Sequence, residues 1–311
     1  MNSALHATDS GHQWDVVAGA GGRQDSALSA EISIAEAFPL LAAPLIAQVE
    51  QRVSALSASV DGENLHKLRV ALRRLRTLWW AYEPYLNKKE ARAHRRDLKS
   101  LADVAGQTRD WDILRQVLTD DKSMKHTFTT LLESIDLCRG DAFVCSRTTI
   151  QSAGADQMLQ KRVGRAVEQL QAPGFDESLP VFARRRVDAA GNSLDNKFRR
   201  AVTHQIPEYP ELHKLRIAGK RLRYLLEFFL PVLDDCDPAN IKVLADLQDE
   251  LGKLNDLVAS EALLHKHAAE LGKSTVVEHA IYYVSDQKVH CMQHVYELLH
   301  TVNETLAKKC S

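Results

Sequence analysis

Two stretches of the 311-residue chain set a histidine and a series of guanidinium and ammonium groups at the same intervals. The first, Leu65 to Leu86, reads LHKLRVALRRLRTLWWAYEPYL, and the second, Leu212 to Leu233, reads LHKLRIAGKRLRYLLEFFLPVL. On a helix turning about 100° per residue, His66, Arg69, Arg73 and Arg76 fall in one stripe roughly 80° wide. His213, Arg216, Lys220 and Arg223 repeat that stripe, while Arg74 and Arg221 point to another side together with Lys67 and Lys214. An apolar flank lies beside the cations in each copy: Leu65, Leu68, Leu72, Leu75 and Trp79 in the first, Leu212, Leu215, Leu222 and Leu226 in the second.

A solvated helix usually mixes signs, placing Glu or Asp four residues from Lys or Arg. Here no acid stands between Leu65 and Trp80, or between Leu212 and Leu226. One such stripe is simply explained by side chains that snorkel over a core edge or pair with a neighbouring helix. Two stripes of the same spacing and sign favour a shared anionic ligand, and the planar donor fork of arginine fits phosphate oxygens. Trp79 and Trp80 read as core and interface residues, and Tyr224 as a packing residue with a wet hydroxyl.

The elements that must carry these stripes are helices. Apolar residues recur at three and four spacings from Glu31 onward, and no segment alternates as a strand would. The spacing predicts a first helix broken at Val60-Asp61-Gly62, a second over about 63–82 ended by Pro84, and a third over 89–104 that can continue to Leu118. Further helices are expected over 124–150, 155–171, 179–203, 210–229, 238–251, 255–271 and 274–308. The repeat extends past the stripes. With a one-residue shift, Leu101 to Asp110 aligns with Leu247 to Asp256. The fold class is therefore all-α, with two homologous helical bundles of about 30–171 and 178–305 joined at Ala172-Pro173-Gly174-Phe175-Asp176. Residues 1–28 read as a disordered tail, and Gly19 to Gln24 lacks the third glycine of a nucleotide loop.

Global charge hides the pattern, because 40 basic residues oppose 41 acidic ones. Residues 63–100 hold eleven Lys and Arg against four acids, and residues 184–223 repeat that balance. Electrostatic steering depends on such local fields rather than on the total. Five cysteines without a CxxC pair suit a reducing cytoplasm, and the longest apolar run, Ala37 to Ala47, is too short to span a bilayer.

The pattern H-x-x-R-[VI]-x-x-[RK]-R-L-R with a following proline, then L-x-x-x-x-G-x-x-[RN]-D, present twice, resembles the CHAD domain, the conserved histidine α-helical domain. The resemblance covers roughly residues 30–305. It implies two helical bundles related by a pseudo-twofold, with basic surfaces meeting at a central groove or pore. It also implies non-catalytic binding of inorganic polyphosphate, with localisation to polyphosphate granules. Carried over residue by residue, the binding set is His66, Arg69, Arg73, Arg74 and Arg76, with His213, Arg216, Lys220, Arg221 and Arg223. The later helices add Arg95, Arg96, Lys99 and Arg109, with Lys242 as a weaker counterpart of Arg96. Asn255 replaces Arg109 and Gly219 replaces Leu72 in the second half, which is therefore expected to bind more weakly. The ExExK strand of the triphosphatases fused to some relatives has no counterpart; Glu31 to Ala35 lacks the second acid and the lysine.

Two other chemistries compete. A basic stripe also binds nucleic-acid backbone, but no RNP motif, zinc finger or interleaved aromatic platform accompanies these arginines. His290 and His294, one turn apart beside Cys291, could start a zinc site but lack HExxH and an evident third ligand. Asp103, Asp110, Asp112, Asp249 and Asp256 could hold magnesium, although their recurrence in both halves fits helix pairing or the orientation of basic residues. No metal and no cofactor is expected. Lys161, Arg162 and Arg165 read as ordinary surface.

Overall fold

A computed structural model of the chain describes residues 28–58, 62–121, 126–172, 177–203, 208–233, 238–272 and 274–309. Among them are α1 (Ile34–Ala58), α2 (Gly62–Tyr82), α3 (Lys88–Asp120), α4 (Thr129–Ser152), α5 (Ala155–Leu170), α6 (Leu179–Thr203), α7 (Tyr209–Phe229), α8 (Pro238–Lys266) and α9 (Ser274–Lys309). The all-α expectation holds for the described residues, where the one β contact is an isolated antiparallel bridge between Ser33 and Ser178. The proposed tail lies outside the described residues except for Leu28, which packs against the main core. The breaks read at Val60-Asp61 and at Pro173 to Asp176 also lie outside them.

Local chemistry sets the helix ends. Ser33 and Glu36 form a reciprocal box at the start of α1: the Glu36 amide donates to Ser33 Oγ at 3.2 Å, and the Ser33 amide donates to Glu36 Oε2 at 2.8 Å. Asn87 caps α3, its Oδ1 accepting from the amides of Lys89 and Glu90, both at 3.1 Å. Helices α2 and α7 finish alike. Each runs into a single 3₁₀ turn with a proline in its first positions, Glu83–Tyr85 with Pro84 and Leu230–Val232 with Pro231.

One expected break is absent. The spacing predicts separate helices over 238–251 and 255–271, yet α8 runs unbroken from Pro238 to Lys266. Gly252 costs a helix about 1 kcal/mol relative to alanine. Leu251 and Leu254, both buried in one apolar cluster, hold the chain helical across it. Helix α3 passes through Gly106 in the same way.

Among the described residues three apolar clusters hold the helices together. The largest joins α1 to α5 with Phe182 of α6 and Leu225, Phe228 and Phe229 of α7. A second joins Trp111, Leu114 and Leu118 at the end of α3 to Leu264 of α8 and Val277 and Val284 of α9. A third is built from α6, α7, α8 and α9 alone. The first two clusters therefore each combine residues from before and after the 172–178 junction.

Candidate anion-binding site

On α2 the wheel places the apolar flank as expected: Leu65, Leu68, Leu72, Leu75 and Trp79 are all buried. The adjacent stripe is neither buried outright nor open, since His66, Arg69, Arg73 and Arg76 are all half-buried. The corresponding stripe of α7 is likewise half-buried, with Leu212 and Leu215 in the core beside it. The two stripes face each other, and Arg73, Arg76 and Arg95 join Lys220 and Arg221 around one pocket between α2, α3 and α7. Thr77, Trp80, Ile217 and Tyr224 complete its lining, which contains no acid.

Electrostatics register the convergence. Burial, then Arg73, Arg216 and Arg223, push the Lys220 ammonium well below its ordinary range. Burial and Arg73 lower Arg216 to about 10. Burial, then Arg95, Arg76 and Arg186, lower Arg221 to about 10. Both arginines remain charged at neutral pH, so these shifts measure desolvation and like-charge crowding that an anion would relieve. His66 is lowered by burial and by Arg109, and His213 by burial and by Arg216.

The two histidines are held differently. The Nδ1–H of His213 donates to Asn255 Oδ1 at 3.2 Å, and the Tyr209 hydroxyl donates to the same oxygen at 3.3 Å. Asn255 thus spends its side chain on orienting His213, where its counterpart Arg109 contributes a charge beside His66. His66 Nδ1 is buried without a hydrogen-bond partner in the protein.

Two glycines explain how closely the stripes approach the long helices. A Cβ on Gly106 would fall 1.6 Å from Arg69 Nη1, so the guanidinium of α2 lies directly on the α3 backbone. Gly252, the aligned glycine of α8, faces open space. There the close approach has moved to α7: a Cβ on Gly219 would fall 2.0 Å from Nε2 of the buried Gln248. In the sequence alignment Gly219 stands opposite Leu72 and Gln248 opposite Ala102, so the small residue changes helices. The departure at Gly219 is a packing exchange.

The other sequence-selected residues divide. Arg74 lies 3.4 Å from Glu227 and over the Phe228 ring at 5.5 Å, tying α2 to the end of α7. Arg223 also pairs with Glu227, at 3.3 Å. Arg95 lines the pocket while bonding Glu83. Arg96 and Lys99 are exposed on α3 outside the lining, and Lys99 pairs with Asp103. Lys242 lies on α8, and its side chain is outside the described ones. Asp110 has its carboxyl raised by burial and by Asp256, against the pull of Arg69.

Sequence reasoning missed Arg186 of α6. Its Nη2 donates to the Trp80 carbonyl at 2.9 Å, and its guanidinium lies 4.1 Å from the centre of the Trp80 ring. Arg221 lies 4.7 Å from the same centre, so Trp80 serves as a platform for two cations as well as an interface residue. The available signal was the run Arg184-Arg185-Arg186, which has no repeat partner to single out its third member. The zinc alternative finds no support in its histidines: His290 Nδ1 donates to the Asp286 carbonyl at 2.9 Å, and His294 lies 3.8 Å from Glu250. Among the described residues no three His, Cys, Asp or Glu side chains gather as a metal site, and no helix is long and apolar enough to cross a membrane.

A family model of the CHAD domain matches residues 41–265. The chain belongs to the CHAD-domain family. The crystal structure of the CHAD domain from the plant Ricinus communis superimposes with a TM-score of 0.68 at 25% identity, covering 88% of this chain and 93% of that one. PptA from Streptomyces chartreusis shares the fold, with a TM-score of 0.63 at 13% identity over 87% of this chain and 100% of that one. No curated protein sequence matches. Both conserved-type histidine motifs of the CHAD pattern, at His66 and His213, thus stand on half-buried positions beside the convergent cations.

Proposed function

We propose that this CHAD-domain protein binds inorganic polyphosphate in the seam between α2 and α7, without altering it chemically, and so associates with polyphosphate granules in the cytoplasm. One observation carries the reading: five cations from three helices line a single pocket that has no acid in its wall. Polyphosphate is a flexible chain with negative charge at every unit, and arginine forks match its oxygens. The two halves are read as copies related by a pseudo-twofold. The doubled motif and the matching Pro84 and Pro231 turns support that reading. A chain lying along the seam would then meet one stripe from each copy.

Nucleic acid is the competing polyanion. Base stacking needs free aromatic faces, and Trp80, the tryptophan of the pocket, already carries two guanidinium groups. The test is a titration with polyphosphate of graded length, with single-stranded RNA as competitor, at several salt concentrations. Affinity for polyphosphate should rise with length and then level off, and RNA should compete poorly. By analogy with single-stranded nucleic acid, each phosphate contact contributes a slope of about −0.7 in log K against log salt. A flat salt profile, or RNA that competes on equal terms, would overturn the assignment.

A further inference from the structure

A second pocket lies back to back with the first. Trp79 and Trp80 are neighbours on α2, as are His94 and Arg95 on α3. Trp80 and Arg95 line the cationic pocket, whereas Trp79 and His94 line a separate one between α2, α3 and α5. Its volume is about 390 Å³, within the range of small-molecule sites. Trp79, Leu86 and Met158 supply an apolar floor, and Lys161, Arg162 and Arg165 stand at its edge with Glu90.

We propose that this pocket binds a small organic anion, its apolar or aromatic body on Trp79, Leu86 and Met158 and its carboxylate, sulfonate or phosphate at Lys161, Arg162 and Arg165. His94 is the observation that asks for a ligand. Its side chain is 1% exposed, and neither ring nitrogen meets a donor or acceptor in the protein. Buried polar groups are otherwise paired as a rule. An edge contact to Trp79, with ring centres 4.4 Å apart, fixes the imidazole in the wall. Burial, and then Arg162, lower it to about 3, so the ring stands neutral in the wall, its two nitrogens just beneath the pocket surface.

The edge is organised rather than loose. Arg162 Nη2 donates to Asp97 at 2.6 Å, and Arg165 lies 3.9 Å from Glu90, whose other oxygen accepts from Gln169 at 3.0 Å. Three cations against one acid in the lining select an anion over a cation. The flat apolar floor selects an organic body over inorganic phosphate. None of these residues belongs to the seam, so this site and the polyphosphate site stand or fall separately.

The probe is naphthalene-2-sulfonate, titrated into the full chain by calorimetry and by NMR of the histidine rings. Saturable binding at one site per chain is expected, with the His94 resonances shifting. Lys161→Gln with Arg165→Gln should weaken it by about tenfold or more, while polyphosphate affinity stays within about twofold because these charges lie away from the seam. Met158→Trp should block the pocket; if that variant does not fold, the surface pair decides. Arg73→Ala with Arg76→Ala should leave probe binding unchanged. Absence of saturable binding, binding indifferent to the Lys161 and Arg165 changes, or binding lost with Arg73 and Arg76 would each overturn the proposal.

Discussion

Lys220 has burial and three arginines set against its charge, and Asp256 acting in its favour. His66 and His213 are depressed for the same two reasons, burial and neighbouring guanidinium groups. A polyanion reverses the local field, so each of these groups has a higher pKa in the complex than in the free protein. The complex then holds more protons, and affinity must grow as pH falls between the free and bound values. Calorimetry of polyphosphate binding in two buffers of different ionisation enthalpy should show proton uptake between pH 6 and pH 8. His66→Gln with His213→Gln should lose the imidazole share of this uptake. A parent protein with no proton uptake would mean that neither histidine meets the chain. A second prediction isolates one guanidinium. Gly106→Ala favours the helix by about 1 kcal/mol, but its methyl must displace the guanidinium end of Arg69, the flexible tip of a long side chain. Melting temperature should hold or rise while polyphosphate affinity falls by about tenfold, the scale of one charge-assisted hydrogen bond. Unchanged affinity would remove Arg69 from the site.

Apart from Glu227, which pairs with Arg74 and Arg223, the facing stripes of α2 and α7 carry like charges, so they oppose the packing that brings them together. Replacing Arg69, Arg73 and Arg76 by Ala should abolish most polyphosphate binding and lower the salt slope by about two, without loss of thermal stability. Replacing Lys161, Arg162 and Arg165 should leave affinity and slope nearly unchanged. Equal losses in the two variants, followed by filter binding and melting curves, would mean that general charge makes the site. The stripes were legible because periodicity and sign survive in a one-dimensional reading: an acid-free run beside leucines specifies a face whatever it packs against. Where the faces go was not legible. Arg74 and Arg221 occupy matching positions and reach across to matching positions, Glu227 on α7 and Trp80 on α2, so one makes an ion pair and the other a cation–ring contact only because the residue met there differs. The unbroken α8 escaped for a similar reason, since Gly252 weakens a helix locally and only tertiary burial of Leu251 and Leu254 restores it. Arg186 arrives from α6, far in sequence from either motif.

Across the whole molecule the near-zero net charge conceals a local excess of cations in the seam, which makes the total a poor guide to partners. The seam is also fastened at two places. Leu225, Phe228 and Phe229 of α7 sit in the same core as Trp79 and Tyr82 of α2, and Trp111 of α3 shares another with Val277 and Val284 of α9. These shared cores oppose a parting of the walls, so the backbone spacing around the cations is set by the cores. Charge alone would not spare the protein from duplex DNA, which carries about one negative charge per 1.7 Å of its length. Girth would. The space between the lining side chains is about 40 Å³, so on the proposed function a single phosphate strand would enter by displacing the long arginine and lysine ends, whereas a duplex would rest on the rim and reach few of the half-buried guanidinium groups. Duplex DNA should therefore fail to displace polyphosphate in a competition measured at equal phosphate concentration, and its effective displacement would show that the walls part. On the proposed function the slot would act as a gauge, admitting a polyanion by its cross-section after the field has drawn it in.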